Sequence, residues 1–156
     1  METHGACRCG QLRIRVHGKP LVTMACHCTG CQKMTASAFS LSALFPAASF
    51  AVSAGETAIG GLHGGSKHHF CAHCLTWTFT RPEGMDDFVN VRSPMLGASL
   101  LLDPFMETCT AEKLPWVRMP ATFSFEKFPQ PDAFPSILAS YAAQNSTIEG
   151  RGVLPA

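Results

Sequence analysis

Three cysteines lie within the six residues of the segment "CHCTGC", namely Cys26, Cys28 and Cys31. Three protein ligands hold a zinc ion and leave one coordination position open, which is the pattern of a catalytic zinc. Three thiolates give the Zn²⁺ unit an overall negative charge, so the ion activates water less well than one held by neutral histidines. A soft sulfur donor suits the open position better. The spacing therefore predicts a catalytic zinc whose fourth ligand is the thiol of a substrate.

Two further cysteine pairs stand about sixty residues apart in the chain, Cys7 with Cys9 in "CRC" and Cys71 with Cys74 in "CAHC". Residues two apart in an extended segment face the same side, and a CxxC turn brings its two sulfurs together. The two pairs together provide the four thiolates of a closed, tetrahedral structural zinc site. We expect this site to tie the N-terminal strand to the middle of the chain.

The inner set of three cysteines leaves an alternative open. A fourth protein ligand could close it, and the candidates are Cys109, His27, His68, His69 and His73. A closed site would be structural, and the chain would then be a non-catalytic two-zinc protein-interaction module. A cysteine without a neighbouring partner, such as Cys109, is most commonly a small buried apolar residue. No general acid is assigned, although His27 and His69 are candidates.

Length and composition bound the class of protein. The chain has 156 residues, 46% of them hydrophobic, and we expect a single zinc-binding domain over residues 1–145 with a frayed tail over 146–156. The formal net charge is +1 and no basic run is present, so nucleic acid is not an expected partner. No signal peptide or apolar window of about 18 residues is apparent, which predicts a soluble, cytoplasmic protein without a membrane partner. In a reducing compartment, eight cysteines favour metal binding over disulfides.

The elements that must position these cysteines are short. Frequent Pro and Gly residues interrupt the sequence, which favours strands over long helices. Apolar and polar residues alternate in "QLRIRVHG" and "LTWTFTR", as in antiparallel strands. The strands are predicted at residues 11–18, 39–45, 75–81, 88–93 and 122–128, and one short C-terminal helix is predicted at 135–144.

The segments "GACRCG", "CHCTGCQK" and "FCAHC", followed by "FVNVRSPMLGA", "LPWV" and "ATFSFEKFP", resemble the glutathione-dependent formaldehyde-activating enzyme family, which includes centromere protein V. The resemblance covers residues 5–129. It implies a mainly β fold, a β-tent of small antiparallel sheets stapled by zinc. It also implies two zinc ions per chain. The matching ligands are Cys7, Cys9, Cys71 and Cys74 for the structural zinc and Cys26, Cys28 and Cys31 for the catalytic zinc.

The activity implied by the resemblance is the addition of glutathione to formaldehyde, which gives S-hydroxymethylglutathione and is classed with carbon–sulfur lyases. The expected partners are therefore a small thiol, glutathione or a relative, and a small aldehyde. The sequence departs from the family pattern at two positions where glycine is common, Leu75 and Ala36. The first of these follows the CxxC pair, where a tight turn favours positive φ.

Overall fold

The structure, a computed structural model, describes residues 1–97 and 103–149. Within these ranges the strands are Glu2–Ala6 (β1), Arg13–His17 (β2), Val22–Cys26 (β3), Ser40–Pro46 (β4), Phe50–Ala54 (β5), Thr57–Gly60 (β6), Lys67–Cys71 (β7), Trp77–Arg81 (β8), Phe88–Arg92 (β9), Met106–Thr108 (β10) and Phe123–Ser124 (β11). The helices are Thr29–Thr35 (α1) and Phe134–Glu149 (α2). Short 3₁₀ turns occupy Ala47–Ser49, Ser93–Leu96, Thr110–Glu112 and Pro131–Ala133.

The strands form two sheets. Strands β1, β2 and β5 make an antiparallel sheet in the order β1-β2-β5. The other eight strands lie in the order β11-β10-β3-β4-β9-β8-β7-β6, and their pairing is antiparallel except at one edge, where β10 runs parallel to β3 and β11 to β10. The mainly β fold with antiparallel sheets and a short C-terminal helix is thereby confirmed. In the described part of the chain, no helix is long and apolar enough to cross a lipid bilayer.

The main core lies between the two sheets. Alternation along β2 turns Ile14 and Val16 inward, and both side chains are fully buried. They pack in one cluster with Phe45, Val89 and Val91, which lie on one face of the large sheet. The alternating sequence of β2 thus folds as predicted, because one of its faces is covered and the other is open to water.

The opposite face of the large sheet carries a second apolar cluster at one end and polar residues at the other. Helix α2 packs its Ile137 and Tyr141 into a cluster with Val22, Met24 and Leu44 of β3 and β4. The cysteine at the far end of β3 lies beyond this cluster, on the polar part of the same face. The large sheet therefore presents a polar surface around the end of β3.

Some elements differ from the expectations. The segment predicted as a strand over 122–128 forms a strand only at Phe123–Ser124, because its neighbour β10 ends at Thr108 and the chain turns at Cys109 with φ of +57°. Helix α2 extends to Glu149, past the predicted end at residue 144. Residues 150–156 of the expected tail lie outside the described residues, and the division of the chain at residue 145 stays a prediction.

Candidate active site

The inner sulfur cluster is built where β3 meets α1. Cys26 ends β3, Cys28 is the residue that caps α1, and Cys31 lies in the first turn of that helix. The Cys28 sulfur accepts a hydrogen bond from the Cys31 backbone N–H at 3.3 Å, as an N-capping side chain does. The sulfur atoms of the three cysteines all lie within 4.8 Å of one another. The structure therefore brings together the three residues that the spacing singled out.

The geometry and charge of this cluster fit zinc. Ligand sulfurs at about 2.3 Å from a tetrahedral zinc lie roughly 3.8 Å apart, a separation that this cluster allows. The pKa of Cys26 is lowered to about 5, first through its hydrogen bond with Cys31, and the same contact and burial raise the pKa of Cys31. Ionisation of the Cys26 thiol therefore disfavours ionisation of the neighbouring Cys31 thiol. A divalent cation would let all three exist as thiolates.

The outer cluster joins two tight turns. After β1, the Cys7 N–H donates to the Leu12 carbonyl at 2.9 Å while the Leu12 N–H donates to the Cys7 sulfur at 3.3 Å. After β7, the Leu75 N–H donates to the Cys71 carbonyl at 3.0 Å. The four sulfurs, those of Cys7, Cys9, Cys71 and Cys74, lie within 4.8 Å of one another. This closed set of four soft donors fits a structural zinc.

The two positions where the sequence lacks a family glycine have left-handed backbones. Leu75, after the CxxC pair, has φ of +56°, and Ala36, at the end of α1, has φ of +49°. The expectation of positive φ after the CxxC pair is confirmed at Leu75. An L-residue with a side chain adopts this conformation at a cost that glycine avoids. Each residue therefore stores a small amount of strain, Leu75 directly after a cysteine of the outer cluster and Ala36 at the end of the helix that carries Cys31.

Cys109 lies near the inner cluster without joining it. It follows β10, which pairs in parallel register with β3 so that Thr108 lies opposite Cys26. Burial, and then the charge of Cys26, raise the pKa of the Cys109 thiol to about 12. Among the described residues, no fourth Cys, His, Asp or Glu belongs to the group formed by the three inner sulfurs. Cys109 is thus a neutral, partly buried thiol beside the site.

Among the described residues, none of the histidines that could have closed the inner site belongs to the group formed by the three sulfurs. The His27 ring is fully buried, and its Nε2 lies 3.0 Å from a carboxylate oxygen of Glu107. His68 and His69 each pair through Nδ1 with a threonine hydroxyl, at 2.9 and 3.1 Å, and His73 is exposed. Because His27 is fully buried and His69 does not line the cavity beside the sulfurs, neither candidate general acid is placed to contact a substrate there.

A cavity of about 320 Å³ opens beside the sulfurs of Cys26 and Cys31. Register places its central lining residues on one face of the large sheet, since Ser40 pairs with Cys26 and Ser42 pairs with Arg92. The lining also includes Met24, Leu44, His68, Trp77, Thr80, Asn90 and Phe134. Burial, and then the charge of Arg92, lower the pKa of His68. The His68 imidazole that lines the cavity is therefore neutral. The site is thus a mixed polar and apolar pocket with sulfur at one side.

Four residues that line the cavity belong to no cysteine motif in the sequence, namely Arg92, Asn90, Ser40 and Trp77. A signal for two of them was present, because Asn90 and Arg92 occupy one face of β9 while Val89 and Val91 occupy the other. Polar residues on the second face of a strand in the middle of a sheet indicate either a solvated surface or a polar pocket. Only the strand order decides between the two.

Comparison with known families agrees with this site. A sequence model described as glutathione-dependent formaldehyde-activating enzyme matches residues 2–112. The matched region includes both sulfur clusters and every strand up to β10. The chain belongs to this family. Membership assigns it, in general terms, to enzymes that act in glutathione-dependent formaldehyde activation, and the resemblance of the cysteine segments is confirmed.

Among curated proteins, none matches the chain. A crystal structure of a Rhodobacter sphaeroides protein shares 21% sequence identity, with a TM-score of 0.49. The match covers 61% of this chain and 88% of the other. A similarity this distant has no bearing on function.

Proposed function

We propose that this protein is a zinc-dependent enzyme of the carbon–sulfur lyase type, which adds glutathione or a related thiol to formaldehyde or another small aldehyde. Cys26, Cys28 and Cys31 would hold the catalytic zinc, and Cys7, Cys9, Cys71 and Cys74 the structural zinc. The observation that carries the proposal is the inner cluster, where three sulfurs converge without a fourth protein ligand among the described residues. Two of these cysteines, Cys26 and Cys31, line a cavity. An open coordination position beside a cavity is what a thiol substrate requires.

The chemistry follows from the donor set. A bound zinc would lower the pKa of a substrate thiol, which is normally about 8.5, and so supply a thiolate at neutral pH. In the reaction the thiol sulfur forms a bond to the carbonyl carbon, the carbonyl π bond breaks, and the oxygen takes up a proton. The proton balance closes because the thiol loses the proton that the product hydroxyl gains. The cavity residues hold the two reactants next to each other.

The cavity suits small polar reactants. Its volume of about 320 Å³ lies at the lower end of the usual range for small-molecule sites. Ser66, Thr80 and Asn90 offer hydroxyl and amide groups to the cavity, while Met24 and Phe134 give apolar contact. Such a lining can bind a peptide-like thiol through its amides and still exclude bulk water from a small aldehyde.

The proposal places the enzyme in the cytoplasm. All eight cysteines are free thiols in the structure, seven of them within the two sulfur clusters. A reducing compartment keeps such thiols available for metal. The proposed partners are the thiol and the aldehyde, without nucleic acid or membrane.

The test is the rate of adduct exchange between glutathione and ¹³C-labelled formaldehyde, followed by NMR with the zinc-loaded protein. We expect the wild-type protein to accelerate exchange over the uncatalysed reaction and the Cys28→Ser variant to lose that acceleration. Cys109→Ser is the matched control, since it removes a neighbouring thiol outside the cluster, and it should keep both zinc and activity. An inactive wild-type protein with both zinc ions bound would refute the proposal. Loss of the inner zinc in Cys109→Ser would show a closed, structural site instead.

A further inference from the structure

A buried arginine lies beside the inner sulfur cluster and has no carboxylate partner among the described residues. Arg92 ends β9, and only 7% of its surface is exposed. Its guanidinium carbon lies 4.0 Å from the centre of the Trp77 ring, a cation–π contact. Within the described residues it forms no ion pair, and its Nε has no hydrogen-bond partner. A buried charge is costly unless something compensates it, so the fold must place negative charge near Arg92 by other means.

The hydroxyl of Ser40 connects Arg92 to the cluster. Arg92 Nη1 donates to Ser40 Oγ at 3.2 Å. Ser40 is almost fully buried, stands opposite Cys26 in the β3–β4 register, and lines the same cavity as Cys26 and Cys31. A hydroxyl that accepts from a guanidinium keeps its own hydrogen free to donate. The Ser40 hydroxyl can therefore donate toward the sulfur cluster while it accepts from the guanidinium.

The charges in this arrangement are complementary. Burial lowers the pKa of Arg92 to about 10, while Cys31 and Cys26 act in the opposite sense by favouring its charged form. Arg92 stays protonated at neutral pH, and it lines the same cavity as both cysteines. Because no carboxylate pairs with Arg92 in the described part of the chain, the thiolates of a zinc-loaded cluster would supply the compensating negative charge.

We propose that Arg92, acting through Ser40, is the counter-ion of the Cys26, Cys28 and Cys31 site, and that its charge favours an anionic thiolate as the fourth ligand. Three thiolates already give a zinc site an overall negative charge, and a fourth increases it. A buried cation at short range offsets that increase more strongly than solvent could. Arg92 is a positioning residue in this role, and the role in thiol selection rests on the proposed function.

One competing role for Arg92 is direct binding of a substrate carboxylate. Guanidinium groups bind carboxylates in a bidentate manner, and glutathione carries two carboxylates. The two roles predict different effects of Arg92 on the binding of a thiol without a carboxylate, such as 2-mercaptoethanol. A counter-ion strengthens the binding of both thiols, whereas a carboxylate site strengthens the binding of glutathione alone.

The experiment compares zinc-loaded wild-type protein with Arg92→Gln, Arg92→Lys and Ser40→Ala. Chelator competition gives the affinity of each zinc site, and calorimetric titration gives the affinity for glutathione and for 2-mercaptoethanol. In Arg92→Gln we expect the inner zinc to bind about tenfold more weakly or worse, with the outer zinc unchanged as an internal control of folding. Arg92→Lys keeps the charge and should recover most of the loss, whereas Ser40→Ala should show an intermediate loss.

The thiol titrations separate the two roles. The counter-ion role predicts that Arg92→Gln weakens the binding of glutathione and of 2-mercaptoethanol by the same factor. Loss of glutathione binding alone would overturn it in favour of carboxylate recognition. An inner zinc affinity equal to that of wild type in Arg92→Gln would also overturn it. A wild-type protein that binds no thiol would refute the proposed function and the role of Arg92 in thiol selection. The zinc measurement requires neither thiol nor aldehyde. The zinc affinities would therefore still decide whether Arg92 is the counter-ion.

Discussion

Glu107 is the buried carboxylate that anchors the loop between two of the inner cysteines. Its side chain is 9% exposed, and it accepts hydrogen bonds from Lys113 Nζ at 2.6 Å and from Ser124 Oγ at 3.0 Å. The fully buried ring of His27 lies 3.0 Å from the same carboxylate. Because His27 stands between Cys26 and Cys28, this group of contacts fixes the backbone that carries both sulfurs.

The change Glu107→Gln keeps the shape of the side chain and removes its charge. Each hydrogen bond to a charged group contributes about 1.5–3 kcal/mol, and breaking a buried pair costs about 3–5 kcal/mol. The amide retains one acceptor, and Lys113, whose side chain is 19% exposed, regains some water. We therefore expect the free energy of unfolding to fall by about 2–3 kcal/mol at pH 7, which lowers Tm by roughly 5–10 °C in a chain of this length.

The effect should depend on pH with a defined sign. Burial raises the pKa of Glu107, but its hydrogen bonds with Lys113 and Ser124 and the charge of Lys113 outweigh this, so the pKa lies below its ordinary value. A carboxyl with a depressed pKa in the folded state stabilises the fold above its unfolded pKa of about 4.3, and this contribution is lost as the pH falls through the folded value. The difference in free energy of unfolding between wild type and Glu107→Gln should be constant from neutral pH to about pH 5 and should decrease at lower pH.

Denaturant unfolding of the zinc-loaded proteins measures this difference. Glu126→Gln is the matched control, because it makes the same change at an exposed position and should alter stability by no more than about 0.5 kcal/mol. If Glu107→Gln loses no more stability than the control variant Glu126→Gln, the anchoring role of Glu107 is refuted.

Four further substitutions have defined outcomes. Leu75→Gly and Ala36→Gly remove side chains at positive φ, and each should raise the free energy of unfolding by up to about 1 kcal/mol in denaturant titrations; a loss of stability would show that these side chains make compensating contacts. Cys9→Ser should remove the outer zinc, seen as a drop from two bound zinc ions to one by metal analysis, with a lower Tm; unchanged zinc content would contradict the assignment. Phe45→Ala in the main core should cost about 3–5 kcal/mol in the same titrations while both zinc ions remain bound, and a cost below about 1 kcal/mol would contradict the packing.

The sulfur clusters were predictable because their constraints are local. Cys26, Cys28 and Cys31 are close enough in sequence that one strand end and one helical turn bring them together. The prediction of the outer cluster required only the assumption that two pairs of cysteines, distant in sequence, bind the same metal ion. Strand β2 was predictable because it covers the core with one face only, so Ile14 and Val16 alternate with arginines.

Other elements give no such pattern in the sequence. Strand β3, "VTMAC", is buried along most of its length because both faces of the sheet are covered there, so apolar and polar residues do not alternate. Helix α1 has seven residues, among them Gly30 and two threonines, and its start depends on the sulfur of Cys28 as a cap. Neither propensity nor periodicity indicates a helix of this kind.

The cavity could not be predicted because its lining is assembled by strand order. Ser40 and Arg92 are about fifty residues apart in sequence, and they meet only because β4 and β9 are neighbours in the sheet. The parallel pairing of β10 with β3 likewise places Glu107 beside His27. Contacts between strands distant in sequence decide which polar residues surround the sulfurs.

The most direct test of the open three-sulfur site is native mass spectrometry of the freshly reduced protein with and without glutathione. We expect two zinc ions per chain and one retained glutathione in the wild-type protein, with the glutathione lost in Cys28→Ser. Two zinc ions and no retained glutathione, even at millimolar concentrations of the thiol, would contradict an open, thiol-binding position at Cys26, Cys28 and Cys31.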